Sequence, residues 1–331
     1  MSKSVRFHQV GGPEVLKIET VPIPVPGAGE VRIKTKAIGL NRAEVMYRSG
    51  AYVSAPVFPA QLGYEAAGII DAVGDGVDGF EVGDAVSVIP AFSFADYGMY
   101  GEDVVAPARA VVKHPRSLSW EMAAAIWMPF VTVWGALIDI AGIAKDDVVV
   151  IPAASSSVGL AAIQVARSVG ALPVALSRTS SKAEELKDAG AAHVIATAEQ
   201  DVTAELLRIT DGKGARVVFD PVGGPAFEQL AQATAVGGIV FIYGALSPDA
   251  TPLPLMAVLG RHLTIRGYEL FEVTSQDDKL RQAKEFVLAG LASGHFSPRI
   301  ARTFPFERIV EAHRFLEANA QVGKVVVTVR R

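Results

Sequence analysis

The segment Val148-Val149-Val150-Ile151-Pro152-Ala153-Ala154-Ser155-Ser156-Ser157-Val158-Gly159-Leu160 decides the fold. Four aliphatic residues in a row read as a strand buried on both faces, because a half-exposed strand alternates. Small residues then lead into Leu160 to Val169, which has the apolar spacing of a helix. A buried strand feeding a helix through such a turn is the opening unit of a doubly wound α/β sheet. Small side chains let the backbone approach a pyrophosphate, which is held by the unpaired N–H groups of the helix N-terminus. Serine stands here where glycine is usual; it stays small, and its hydroxyl can donate to phosphate oxygens. Ser156, Ser157, Val158 and Gly159 are the candidate contacts, with Gly159 packing helix on strand. The competing reading is a purely structural turn.

The same alternation continues downstream. Ala171 to Leu176 precedes Ser181 to Ala189, where Ser181 and Glu184 have capping-box spacing. Val217-Val218-Phe219 leads into Ala226 to Thr234, and Ile239 to Ile242 follows. Apolar strands alternating with helices form a parallel sheet covered on both faces. At the end of the second strand an NAD site places Asp or Glu on the ribose hydroxyl. This chain has Ser177-Arg178-Thr179-Ser180-Ser181-Lys182 instead. Ser177, Arg178 and Lys182 suit a 2′-phosphate, which an acid would repel, and they favour NADPH over NADH. A solvated surface loop is the alternative.

Upstream, turn signals at Gly11-Gly12-Pro13, Pro26-Gly27-Ala28-Gly29 and Val73-Gly74-Asp75-Gly76 separate short β-like runs such as Val31 to Thr35, the pattern of an antiparallel β-rich domain. Beyond Leu263 come a strand (Leu263 to Gly267), helices at Asp278 to Ala292 and Phe306 to Ala320, and a last strand, Val325 to Val329. This tail is expected to return to the first domain, making the α/β unit an insertion. The chain has 331 residues, 50% hydrophobic and 20% charged, a net charge of -4 and no Cys. Disorder, disulfide scaffolds, thiolate metal sites and nucleic-acid binding are thereby disfavoured. No apolar leader follows Met1 to Val10, and the one span-like stretch, Ala123 to Ala144, contains Pro129, Gly135 and Asp139, with Pro129 expected to break it. A soluble, cytoplasmic protein that does not cross a membrane is the expectation.

Further motifs carry a resemblance over essentially the whole chain: Gly39-Leu40-Asn41-Arg42-Ala43-Glu44 with Arg48-Ser49-Gly50-Ala51-Tyr52, Leu62-Gly63-Tyr64-Glu65-Ala66-Ala67-Gly68, Thr132-Val133-Trp134, Asp220-Pro221-Val222-Gly223-Gly224 and Gly323-Lys324-Val325-Val326. In this order and spacing the chain resembles the medium-chain dehydrogenase/reductase superfamily, in its zinc-independent quinone oxidoreductase branch. The resemblance implies an α/β fold in which a Rossmann NADPH-binding domain, residues 123–265, is inserted in a chaperonin-10-like (GroES-like) β-rich catalytic domain, residues 1–122 and 266–331. It also implies a cleft between the domains and a homodimer, with Leu263 to Tyr268 as a candidate edge pairing. Asn41, Thr132, Tyr243, Gly244 and Ala245 join the Ser-rich turn and the Ser177/Arg178/Lys182 group as implied cofactor contacts. Two departures stand out: Ser156-Ser157 replaces Gly-Gly, and Thr197 lies where relatives often have Tyr.

The family's zinc ligands fall on Asn41, Tyr64 and Met128, which do not supply the Cys, His or carboxylate donors that catalytic zinc needs. The six histidines are dispersed, and no metal is expected. Without a Lewis acid, the favoured substrates accept hydride readily: quinones and activated α,β-unsaturated carbonyls. The charge that develops needs a donor, and Asn41 and Tyr52 are the candidate catalytic residues, with Tyr47 and Tyr64 as further lining. Aromatic residues between Pro90 and Tyr100 either shape an apolar pocket or pack the core. Alcohol dehydrogenase-type activity and a non-catalytic, crystallin-like or regulatory NADPH-binding protein are the alternatives.

Overall fold

The computed structural model describes residues 1–115 and 117–330. The chain forms two compact units: Met1–Met128 with Thr274–Leu280 and Pro298–Arg331, and Pro129–Val273 with Arg281–Ser297. The long helix Asp277–Ala292 is thus divided between them.

The second unit is built on a six-stranded parallel sheet. In spatial order its strands are His193–Ala196, Leu172–Ser177, Val148–Ile151, Ala215–Asp220, Thr234–Ile242 and Thr264–Gly267. Counted along the chain this order is 3-2-1-4-5-6, the doubly wound arrangement expected from the alternating pattern. Val150, Val174, Leu176, Ile195, Val218 and Val240 are buried together with Leu206 and Phe227 from the covering helices. Strand order reverses at Val148–Ile151, and ligands of such sheets bind beyond the strands' carboxyl ends at that point. The helix that starts there, Ser157–Ser168, begins a turn earlier than Leu160 because Ser156 caps it, its Oγ accepting from Gly159 N at 3.0 Å. A Cβ on Gly159 would lie 2.6 Å from the Cα and O of Ala154, so only glycine lets the helix sit this close to the strand end.

Two local expectations are corrected. Ser181 and Glu184 form no capping box: Ser180–Lys182 is a 3-10 turn, Ser181 Oγ pairs with Thr179 Oγ1 at 2.9 Å, and the helix runs from Ala183 to Asp188. Pro129 breaks no helix; the interruption falls at residues 124–126, between Trp120–Ala123 and Trp127–Val133. Pro129 sits in the first turn of the second helix, where its missing N–H costs nothing. The stretch Trp120–Ile140 has the length and apolarity of a membrane span, but most of it is buried in the protein.

The first unit holds a seven-stranded sheet whose centre is Glu30–Gly39. That strand pairs antiparallel with Glu65–Val73 on one side and with the C-terminal strand Lys324–Thr328 on the other. Gly39 is opposite Glu65 in one pairing and Val326 in the other, and Leu40 N donates to Val325 O at 3.0 Å. This register delivers Lys324 and Glu65 to the same end of the sheet as Asn41. The helix Trp120–Ala123 packs there through small residues, with Ala37, Ala67, Ala123, Ala124, Ala125 and Val326 all buried.

Candidate active site

Asn41 begins the helix Arg42–Ser49, with its backbone N donating to Glu44 Oε2 at 2.6 Å. Its side-chain amide donates to Gly39 O (3.2 Å) and Glu44 Oε1 (3.3 Å), and its Oδ1 accepts from Lys324 Nζ at 2.6 Å. Lys324 also forms a fully buried ion pair with Glu65 Oε1, while Glu65 Oε2 accepts from Met128 N at 3.0 Å. Every hydrogen-bonding group of the Asn41 amide is therefore engaged inside this unit. Glu44 is the hub. It accepts from Tyr64 N (3.1 Å) and the Tyr100 hydroxyl (2.7 Å) as well, and Tyr100 Oη lies 3.1 Å from His313 Nε2. Burial lifts the Glu44 carboxyl to about 7 against the pull of these donors. Burial also pushes Tyr100 well above the ordinary phenol range and, helped by the Arg48 charge, drops His313 to about 3.

Tyr52 lies just beyond this helix, on an aromatic platform. Its ring is 6.1 Å from Tyr47 and 5.9 Å from Phe94, and its hydroxyl is 3.3 Å from that of Tyr64. Tyr64 stacks on Phe94 at 3.7 Å, and Phe92 packs against both Tyr64 and Tyr97. Of the aromatic residues between Pro90 and Tyr100, Phe92 and Phe94 thus pack against the tyrosine pair. Glu44 and Tyr64 link Asn41 to Tyr52.

In the second unit, Ser156, Ser157, Val158 and Gly159 gather at the N-terminus of Ser157–Ser168, after a turn in which Ala153 takes a φ of +49°. Ser177 ends the neighbouring strand Leu172–Ser177, and Arg178 and Lys182 follow it. Lys182 Nζ donates to Ser155 Oγ at 3.2 Å, which joins the two loops. Burial lowers the Lys182 ammonium, and the Arg178 charge lowers it further against the pull of Glu185. Two cations set to repel each other beside a helix N-terminus are suited to an anion. Tyr243, Gly244 and Ala245 follow the strand Thr234–Ile242, next to the end of Ala215–Asp220. Both carboxylate oxygens of Asp220 accept from the turn that follows, Val222 N at 2.8 Å and Gly223 N at 3.0 Å. Tyr243 stacks on Phe219 at 3.9 Å, and its buried hydroxyl has no hydrogen-bond partner among the described residues. Thr132 is buried on the helix Trp127–Val133.

Ser155, Glu44, Glu65, Tyr100, His313 and Lys324 went unassigned in the sequence. Glu65 and Lys324 stand inside the motifs at residues 62–68 and 323–326, yet their pairing spans 259 residues, a distance at which no local pattern speaks. Among the described residues no group of three or more His, Asp or Glu side chains is arranged to hold a metal ion.

The chain matches the alcohol dehydrogenase GroES-like domain over residues 27–116 and the zinc-binding dehydrogenase family over residues 157–289. It is 32% identical to quinone oxidoreductase 1 of Escherichia coli (strain K12), across 98% of this chain and 98% of that protein. Among solved structures, Escherichia coli quinone oxidoreductase complexed with NADPH has a TM-score of 0.90 at 30% identity, covering 98% of this chain and 99% of that one. An NAD-dependent alcohol dehydrogenase has a TM-score of 0.89 at 34% identity, covering 99% and 100%.

Two outcomes test the buried network. Replacing Lys324 by Met leaves the Glu65 charge buried and unpaired, so urea unfolding should show a loss of about 3–5 kcal/mol. The double variant Lys324→Met, Glu65→Met should recover most of it; a double variant as unstable as the single one would contradict the pairing. The second outcome concerns pH. His313 moves from an ordinary 6.5 to about 3 on folding, so its contribution is complete above pH 6.5 and falls by about 1.4 kcal/mol per unit as pH drops towards 3. Glu44, raised from 4.5 to about 7, acts the other way: its contribution is complete below pH 4.5 and is lost as pH rises towards 7. The two slopes cancel between 4.5 and 6.5, and below 4.5 His313 is the member of this pair that still contributes one. His313→Gln should therefore flatten the stability profile between pH 4.5 and 3 in urea titrations; an unchanged slope would refute the assignment.

Proposed function

The chain belongs to the medium-chain dehydrogenase/reductase superfamily, in its quinone oxidoreductase-like branch, and from that premise we propose that this oxidoreductase reduces a quinone or an activated α,β-unsaturated carbonyl with NADPH and without zinc. The observation that carries the reading is the cation pair Arg178 and Lys182, tied through Ser155 to the Ser-rich turn. A 2′-phosphate relieves the repulsion between those cations, while the pyrophosphate takes the N–H groups of the capped helix. The buried Tyr243 hydroxyl, without a partner among the described residues, is a further sign of a site that a ligand completes, so the residues fit a dinucleotide. Gly244 and Ala245 beside it, with Thr132, hold the nicotinamide half in this reading. The likeness to a quinone oxidoreductase complexed with NADPH supports the same cofactor.

When bound, the cofactor supplies hydride from its nicotinamide C4. Tyr52 donates its phenol proton towards the substrate oxygen on which negative charge develops, and that proton completes the reduction. Asn41, whose amide is engaged with Gly39, Glu44 and Lys324, fixes the segment that leads to Tyr52. Asn41, Tyr64 and Met128 offer no zinc donor set, which supports substrates that need no Lewis acid. We place the enzyme in the cytoplasm as a homodimer. Thr264–Gly267 is one of the sheet's two edge strands, and Val236, Leu255, Met256 and Leu259 are exposed apolar residues of the same unit, a surface suited to a second copy. The structural likeness to an NAD-dependent alcohol dehydrogenase favours a second reading, alcohol oxidation. Stoichiometric zinc in the purified protein would support that one.

Steady-state kinetics test the cofactor assignment. Arg178→Ala, Lys182→Ala should raise KM for NADPH about 10- to 100-fold, the loss of about 1.4–2.8 kcal/mol of charge-assisted bonding, with KM for NADH nearly unchanged. Equal effects on both cofactors would remove the pair from the site. Tyr52→Phe should lower kcat on an enone about 100-fold, keep NADPH affinity, and spare quinone reduction, which asks little of a protein acid. An unchanged enone kcat would take Tyr52 off the catalytic list.

A further inference from the structure

The Tyr64 hydroxyl is 3.3 Å from that of Tyr52. That separation is slack for an O–H···O bond, whose usual length is about 2.7–2.8 Å. The rest of Tyr64 is held firmly. Its ring stacks on Phe94 at 3.7 Å with a 25° tilt, it is 2% exposed, and its backbone N–H is tied to the buried Glu44 carboxyl. Either hydroxyl can donate at rest, and a firmly held phenol at this loose spacing is placed for an interaction that strengthens as charge develops on its neighbour. Hydrogen bonds to an ionised oxygen shorten to about 2.5–2.7 Å and are roughly twice as strong as neutral ones.

We infer that Tyr64 is a positioning residue that acts through Tyr52, donating a hydrogen bond from its hydroxyl to Tyr52 Oη as Tyr52 gives up its proton. The inference rests on the reading of Tyr52 as the proton donor. When the Tyr52 O–H bond breaks and its proton passes to the substrate oxygen, the electron pair stays on Tyr52 Oη. The Tyr64 O–H, which remains intact, then bonds to that phenolate. Such a bond favours the transition state over the ground state and therefore raises kcat rather than substrate affinity. Tyr47 and Phe94 pack around the Tyr52 ring as hydrophobic walls, and Glu44 faces the Tyr64 backbone rather than its hydroxyl.

Two measurements test this. First, 3,5-difluorotyrosine at position 52, whose phenolate absorbs and forms at moderate pH, is titrated in the full-length protein without cofactor or substrate. With Tyr64 present its midpoint should be about one pH unit lower than with Tyr64→Phe, as expected for one hydrogen bond to a charged group. A 3-fluorotyrosine at position 64 keeps the ring and is a stronger donor. It should move the midpoint lower still, and it serves if Tyr64→Phe does not fold. Second, Tyr64→Phe should cut enone kcat about tenfold in the native background and have no effect in a Tyr52→Phe background, with KM unchanged. Equal midpoints, or equal kcat losses in both backgrounds, overturn the inference. A Tyr52→Phe variant with full enone turnover overturns the proton-donor reading instead, and the titration then reports the tyrosine pair on its own.

Discussion

A carboxylate and an ammonium, both sealed from water, meet where three distant segments of the chain converge. Glu65 begins one strand and Lys324 begins the last, and the central strand between them ends two residues short of Asn41. Burying two such ions is costly, and a well-packed apolar pair is often as stable. What the ion pair adds is direction. Lys324 has a second acceptor in Asn41, and the spare oxygen of Glu65 takes the N–H of Met128. The register of an antiparallel sheet is defined to within one residue, and a slip would strand both charges.

From Asn41 the order passes to Glu44 and from there to Tyr64, whose backbone and ring are both fixed before its hydroxyl meets Tyr52. The buried Glu44 carboxylate and the Phe94 ring thus hold one of two neighbouring phenols in place. The cofactor unit follows a parallel logic with the charges reversed. Serine capping, the close approach at Gly159 and the Lys182–Ser155 contact bring N–H groups and two cations to the carboxyl end of the sheet.

The doubly wound unit was legible in the sequence because its strands are continuous aliphatic runs and its helices have a clear period. Val148 to Ile151, Val217 to Phe219 and Ile239 to Ile242 all took their expected places in one parallel sheet. Arg178 and Lys182 stand out in the sequence because an acid is the residue usually found at the end of the second strand. Local capping chemistry was less reliable: Ser181 had the right spacing, but the turn ahead of it tightened into a 3-10 form and drew its hydroxyl to Thr179. The polar network around Glu44 could not be read at all. Lys324 looks like an ordinary strand residue until the register sets it beside Asn41, and His313 and Tyr100 are 213 residues apart in the chain. Burial decides what such groups do, and burial is a property of the fold.

Isotope transfer addresses the proposed chemistry most directly. NADPH deuterated at both C4 positions is incubated with the protein and an α,β-unsaturated ketone, and the reduced product is weighed by mass spectrometry. Direct hydride transfer predicts one deuterium in each product molecule, at the β-carbon, with one NADPH consumed per product formed. Product free of deuterium, or NADPH consumed without any reduced ketone, would contradict it.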